Sequence, residues 1–445
     1  MSLQSALYKP IDNVQITMWR ILFGLVLIFE CIGSNLVGWT TEVFTSPPEF
    51  TFNFIGFEFL QPLPGNGMYI YFIVMGLLGL AITLGWRYRI VMPLFTIGWA
   101  GLYFMHKTSY NNHHYLMLLL CILMCFTPAH ANLSIDAKKD RTKRLGTIPS
   151  IFKWQFLILF LIVYTYASIA KLYPDWMSGE VSKIMFSSKE NMPVLGALYQ
   201  WEFTPLIIAW GGILYDLLVI PALLWKPTRK FAFVVSIGFH LFNSVTFQIG
   251  TFPYMMIGAS VLFFPPDTIR KVFRISNKTD SKLQSRYRPE YKQITPLLFC
   301  LFMAIQIVLP LRHFAIPGNV FYTEEGHRLS WRMMLRVKQG NIDIKILKDG
   351  QEITHDVRND MTSGQYSTFA THPDMIWQYC QFLKRQYGND IEIYVNAWVS
   401  LNQKPHSQII DPNFNMAKAK WHVFGHETWI NPCNWKNDED SEDKS

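Results

Sequence analysis

The spacing of apolar positions divides the chain near residue 312. From 15 to 312, long apolar runs follow one another with short polar interruptions, whereas from 313 onward polar and apolar residues alternate over short stretches. A bilayer crossing takes about 20 mostly apolar residues. Nine candidate spans emerge: 15–37, 68–86, 90–106, 113–131, 150–171, 203–225, 229–250, 252–267 and 294–312. Beyond them, Asn341 to Leu347 alternates with period two, Asp349-Gly350 is a hairpin turn, and Gln351 to Val357 returns. Asp390 to Val399 alternates as well, while His372 to Tyr387 has helical spacing with Gly388 as its C-cap. The expected architecture is a polytopic α-helical membrane domain of about nine transmembrane helices over residues 1–312. A β-rich exoplasmic cap over 313–435 and an acidic tail over 436–445 follow.

Loop charge orients these spans, because Lys and Arg collect on the cytoplasmic side. The connections after the second, fourth, sixth and eighth spans hold nineteen Lys and Arg residues, among them Arg87, Lys138, Arg141, Lys226 and Arg270. The other connections hold four: Lys107, Lys171, Lys183 and Lys189. An integral membrane protein with a cytoplasmic N-terminus and a C-terminal domain in the periplasm, or its ER-lumen equivalent, is expected. Composition agrees, with 50% hydrophobic and only 16% charged residues against about 25% charged in soluble domains. The net charge of +8 is thereby accounted for by loop placement, and no nucleic-acid partner is implied. The N-terminus has no short apolar segment followed by a cleavage site, so the first run reads as a true span. Six cysteines form no CxxC pair, no metal site is expected, and only Cys380 with Cys433 is left open as a pairing.

Ionisable and polar groups inside the bilayer are costly, which makes each a candidate for function. Lys171 ends the fifth span; Asn111, Asn112, His113 and His114 open the fourth; Trp210, Gly211, Gly212 and Asp216 lie in the sixth; His240, Asn243, Ser244 and Gln248 lie in the seventh. Plainer accounts exist for each. A lysine at a helix end snorkels, an Asn-Asn-His-His run caps a helix, His240 and Asn243 could satisfy interhelical hydrogen bonds, and Gly211-Gly212 suits close helix packing. In the orientation derived above, Lys171, Asn112 and His113 share the outer ends of their helices, beneath the C-terminal domain.

The order and spacing of several segments resemble the vitamin K-dependent γ-glutamyl carboxylase family and its bacterial relatives, whose membrane part is called the HTTM domain. These segments are Lys107 to Tyr115 (KTSYNNHHY), Ala170 to Trp176 (AKLYPDW), Trp210 to Asp216 (WGGILYD), Phe239 to Ser244 with Ile249 to Tyr254, Leu329 to Met334 (LSWRMM), and Asp411-Pro412. The resemblance implies a carboxylase-like lyase. In that chemistry a reduced vitamin K or menaquinone-type naphthohydroquinone reacts with O2 to give a strong base, which removes a γ-hydrogen from a peptide glutamate. CO2 then adds to form γ-carboxyglutamate, and the quinone leaves as its epoxide. The catalytic lysine of the family falls on Lys171, and His113 and His240 join it as catalytic candidates. Asn111, Asn112, Trp210 and Asn243 are the cofactor-binding candidates, and His327, Trp331 and Arg332 the substrate-binding ones.

A γ C–H beside a carboxylate is too weak an acid for any side-chain base, so this chemistry needs a dry pocket and an amine free to accept a proton. Burial disfavours a charged lysine and would supply that amine. Whether Asp216 or Asp175 pairs with Lys171, which would hold it charged, stays open at this point. The partners implied are the lipid bilayer, a membrane quinone and a glutamate-containing peptide or protein. Departures from the animal members are His327-Arg328-Leu329 where they carry Tyr-Gly-Tyr, and the lack of an Arg between Trp421 and Trp429. The alternative functions are a quinol epoxidase or related carbanion enzyme with another acceptor, and a non-enzymatic transporter or receptor.

Overall fold

The structure, a computed structural model, describes residues 7–45, 50–275 and 294–433. Helix α1 (Val14–Leu36) and α2 (Gly67–Leu84) form the tightest pair of the membrane part. Small residues allow this approach: a Cβ on Gly24 would stand 2.9 Å from the backbone N of Thr83, and one on Gly79 3.2 Å from Ile28. Next come α3 (Tyr88–Met105), α4 (Asn112–Phe126), α5 (Ile151–Ile169), α6 (Thr204–Leu224), α7 (Arg229–Phe247), α8 (Phe252–Ala259) and α9 (Ile294–Leu311).

Six helical segments among the described residues are long and apolar enough to cross a bilayer: α1, α2, α5, α6, α7, and 297–315, which takes in most of α9. These six support a polytopic membrane domain, and the full expected number of nine is not confirmed by them. The remaining three predicted spans are helical but fall short. α3, a continuous helix of 18 residues, begins beside Arg87 and carries Arg89 and Pro93 in its first two turns, which lowers its apolar character; α4 has 15 residues, about 22 Å at 1.5 Å per residue; α8 has eight before a 3₁₀ turn takes over at Ser260.

Two ends of this bundle are distinct. At one, strand β1 (Pro10–Asp12) pairs antiparallel with β2 (Thr147–Pro149), Arg270 reaches Asp12 at 2.5 Å, and Asp136 accepts from the backbone nitrogens of Arg87 and Tyr88. Buried Arg20 donates there to the carbonyls of Thr83, Ala129, Asn132 and Leu133. Arg87 and Arg270, from two of the basic connections, thus lie at one end. The C-terminal domain occupies the other.

That domain is a four-stranded antiparallel sheet in the order β4-β3-β5-β6, with β3 at Lys338–Lys348, β4 at Gln351–Ile353, β5 at Glu392–Leu401 and β6 at Ser407–Gln408. The β3–β4 turn falls on Asp349 and Gly350, both at positive φ, as a tight hairpin of right-handed twist requires. Register sets Ile342, Ile344 and Ile346 opposite Ala397, Val395 and Ile393. Helix α10 (Pro373–Tyr387) buries Ile376, Tyr379, Cys380 and Leu383 in the same core. Phe50 and Phe52, from the connection between α1 and α2, complete it: Phe50 lies 5.6 Å from the Tyr379 ring and Phe52 5.7 Å from Phe369. Cys380 and Cys433 are not joined by a disulfide, and the acidic stretch 438–443 lies outside the described residues.

Candidate functional site

Buried charges weld the two domains. Lys107, on the loop between α3 and α4, sits 2.6 Å from Asp374 at the start of α10, and Arg328 reaches the same oxygen at 2.8 Å. Burial pulls the Lys107 ammonium down to about 8 against the attraction of Asp374. Burial works to raise Asp374, but Arg328 and Lys107 hold it well below the usual carboxylate range. Beside them, Glu324 faces Arg336, Lys338 at 3.1 Å, His327 at 3.5 Å and His372 at 3.6 Å. Burial opposes its charge, yet Arg336 and Lys338 keep its carboxyl far below normal. The same burial, with Arg336 adding repulsion, drives His327 well down, and burial takes His372 to about 3.

Just inside this seam, Lys171 follows the last turn of α5 and is 8% exposed. Its Nζ donates to Asp216 Oδ2 on α6 at 2.5 Å and to the Ala167 carbonyl at 3.1 Å, and stands 5.7 Å from the Trp176 ring centroid. The Trp176 indole is fixed by a 3.1 Å bond to the Ala209 carbonyl. Phe321, Leu335 and Leu401 from the C-terminal domain share a small apolar core with Trp176, Ala209 and Ile213, and so roof the lysine. Gly212 keeps the wall open, with a Cβ there 3.6 Å from Lys171 Cε. Of the two pairings left open above, Lys171 with Asp216 is the one formed. Asp175 turns instead to Asn402 at 2.8 Å and Lys404 at 3.0 Å.

Deeper between the helices, His240 Nε2 lies 3.1 Å from the Tyr164 hydroxyl and 3.2 Å from that of Tyr215, which also meets Ser236 at 2.9 Å. Tyr164 precedes Lys171 by two helical turns and Tyr215 adjoins Asp216, so the two polar clusters share α5 and α6. His240 thus bonds to the two tyrosines and not to the Lys171–Asp216 pair. Across the ring of Phe252, His240 at 5.8 Å faces His113 at 4.3 Å. The Nδ1 atoms of both imidazoles are buried without a hydrogen-bond partner among the described residues.

His113 lines a cavity of about 450 Å³ with Asn111, His114, Glu30, Ser34, Trp39, Gln248, Thr251 and Phe252 among its walls. That volume falls within the 300–1,000 Å³ of small-molecule sites. Of the predicted cofactor-binding residues, only Asn111 reaches this cavity. Asn112 is occupied elsewhere, donating to the Arg332 carbonyl at 3.0 Å and accepting from Tyr110 at 2.9 Å. Trp210 lies 43% exposed on the outside of α6 with its indole on the Met177 carbonyl, and Asn243 bonds back to Phe239 in its own helix.

The predicted substrate residues lie in the seam. His327 is buried against Glu324, Trp331 is 1% exposed and stacks 4.9 Å from Tyr115, and Arg332 covers the Phe321 ring at 4.6 Å while facing His313 at 2.7 Å. Sequence reasoning did not single out Glu30, although an acid in the first apolar run was itself a signal.

Residues 8–268 match the HTTM domain family, and residues 291–436 match the vitamin K-dependent gamma-carboxylase, lumenal domain. No solved structure matches the chain. The lumenal match begins upstream of 313 and takes in α9. With a membrane part and a lumenal part matched in this order, the chain belongs to the vitamin K-dependent γ-glutamyl carboxylase family.

Proposed function

We propose that this chain is a membrane-integral carboxylase that converts peptide glutamate to γ-carboxyglutamate, using a reduced naphthoquinone, O2 and CO2. The observation that carries this reading is the Lys171–Asp216 pair, enclosed by α5, α6 and Trp176 and roofed by the lumenal domain. When bound, the naphthohydroquinone supplies, with O2, a base stronger than any side chain. The cavity beside His113, which Lys171 and His240 do not line, fits such a group: its volume suits a bicyclic ring, and its walls combine the rings of Phe29, Trp39, Phe247 and Phe252 with the polar groups of Glu30 and Asn111.

Each residue then has a task. Lys171 Nζ and Asp216 Oδ2 face each other at 2.5 Å away from water, and Nζ is the atom assigned to exchange a proton with the bound quinol, with Asp216 positioning it. Tyr164 and Tyr215 orient His240 through its Nε2. His113, stacked on Phe252, places a polar edge at the cavity wall, where it can stabilise charge as it forms. The basic end of the bundle faces the cytoplasm and the lumenal domain the outer compartment, so peptide and quinone reach the site from water and from lipid respectively.

The test is isotopic. Membranes given hydroquinone and labelled bicarbonate should fix label into a glutamate peptide, and Lys171→Ala should abolish it. Epoxide formed without fixed carbon would make the chain a quinol epoxidase, and no quinone turnover in either protein would refute an enzymatic role.

A further inference from the structure

Glu30 is the acid of the cavity wall, and its surroundings define what it can bind. Its Oε1 lies 2.9 Å from His114 Nε2 and its Oε2 accepts from the Thr251 hydroxyl at 2.5 Å. The tautomer of His114 follows from the helix cap. Asn111 Oδ1 accepts from the backbone N–H of His114 at 2.7 Å, a bond that can run in one direction only, so the Asn111 amide nitrogen faces His114 Nδ1 at 3.2 Å. An NH₂ group can only donate there, so Nδ1 is an acceptor and the ring proton sits on Nε2, pointing at Glu30.

Trp39 and Trp99 hold this ring edge-on at 5.9 and 5.2 Å. Glu30 thus takes two neutral donors. Among the described residues no Lys or Arg pairs with it. Of its roughly four acceptor positions these donors use two, and Glu30 is among the residues that line the 450 Å³ cavity.

A carboxylate with spare lone pairs and no counter-cation attracts hydroxyl donors and repels carbonyl oxygens. We propose that Glu30 selects the reduced, hydroxyl-bearing state of an aromatic quinol in this cavity over its oxidised, carbonyl-bearing state. This rests on the reading of the cavity as the naphthohydroquinone site, and adds to it a residue that distinguishes substrate from spent quinone. The selection is of the kind by which a site built to pair with a hydroxyl rejects the analogue lacking it.

The test is equilibrium binding to the detergent-solubilised full chain, using 2-methylnaphthalene-1,4-diol under anaerobic reducing conditions and 2-methyl-1,4-naphthoquinone as probes. Wild type should prefer the diol by about tenfold or more, the size of a hydrogen bond to a charged acceptor. Glu30→Gln, whose amide can also donate to a carbonyl, should bring the ratio close to one, chiefly by weakening the diol. Glu30→Asp, which keeps the charge one methylene back, should retain a reduced preference and covers the case in which Glu30→Gln does not fold.

An unchanged ratio in Glu30→Gln, or no preference in wild type, overturns the proposal. If wild type binds neither probe yet fixes labelled bicarbonate, the selection proposal falls and the carboxylase reading stands. Selective diol binding without carbon fixation leaves the selection proposal standing and overturns the carboxylase reading.

Discussion

Replacing Lys171 by Met leaves Asp216 buried, stripped of its 2.5 Å charged bond. The methionine fills the same space, so the loss is electrostatic. Breaking one side of a buried pair costs about 3–5 kcal/mol, and the lysine site, 10% exposed at its side chain against 7% for Asp216, has little water to screen it. Asp216→Leu should cost less, because Lys171 keeps its bond to the Ala167 carbonyl. In the double variant Lys171→Met with Asp216→Leu no charge is left behind, so most of the stability should return.

Denaturant unfolding of the four proteins in one detergent measures the cycle. The expected coupling is several kcal/mol, with the double variant more stable than Lys171→Met alone. Carbon fixation should nonetheless fall by at least about a hundredfold in every variant lacking the lysine, the scale of general acid–base catalysis. A double variant as unstable as the two single losses summed would refute the claim that Lys171 and Asp216 are an isolated pair. Full activity in Lys171→Met would refute the proposed chemistry.

Other expectations follow from the seam and the helix contacts. His327 and His372 are neutral in the fold, with burial setting their values far below 6.5. The unfolded chain therefore binds more protons as pH falls through 6.5, and each should cost about 1–1.5 kcal/mol of stability by pH 5.5; a flat unfolding midpoint between pH 7.5 and 5.5 would contradict this. Gly24→Ala pushes a methyl into the Thr83 backbone and should cost about 1–3 kcal/mol, whereas Gly212→Ala meets Lys171 Cε at an ordinary 3.6 Å and should leave the unfolding midpoint nearly unmoved. Trp331→Ala should cost about 3–5 kcal/mol, since this 1% exposed ring packs on Tyr115; thermal unfolding in detergent decides.

Local pattern carried a good part of the architecture. The Asp349-Gly350 turn, the α10 helix ending at Gly388 and strand β5 all lie within a few residues of where periodicity put them, because turn chemistry and side-chain period act over short distances. The nine apolar runs are helical too, yet α4 and α8 show that helix formation and membrane length are separate questions. Pairings such as Lys171 with Asp216, 45 residues apart, or His114 with Glu30, 84 apart, were not legible. They depend on how each helix is rotated about its axis, and a single residue shift turns a side chain by about 100°. The same holds for Asn243, which shares α7 with the cavity-lining Phe247 but bonds back to Phe239 in its own helix.

Phe50 and Phe52 belong by chain position to the first connection of the membrane part and by packing to the sheet nearly 300 residues later. A fragment started after the last helix would lack both rings and expose Tyr379, Phe369 and Phe382 to water. During biosynthesis the early loop must wait, unclasped, until the end of the polypeptide has been delivered to its side of the bilayer. Assembly of this protein is completed by a join between its beginning and its end.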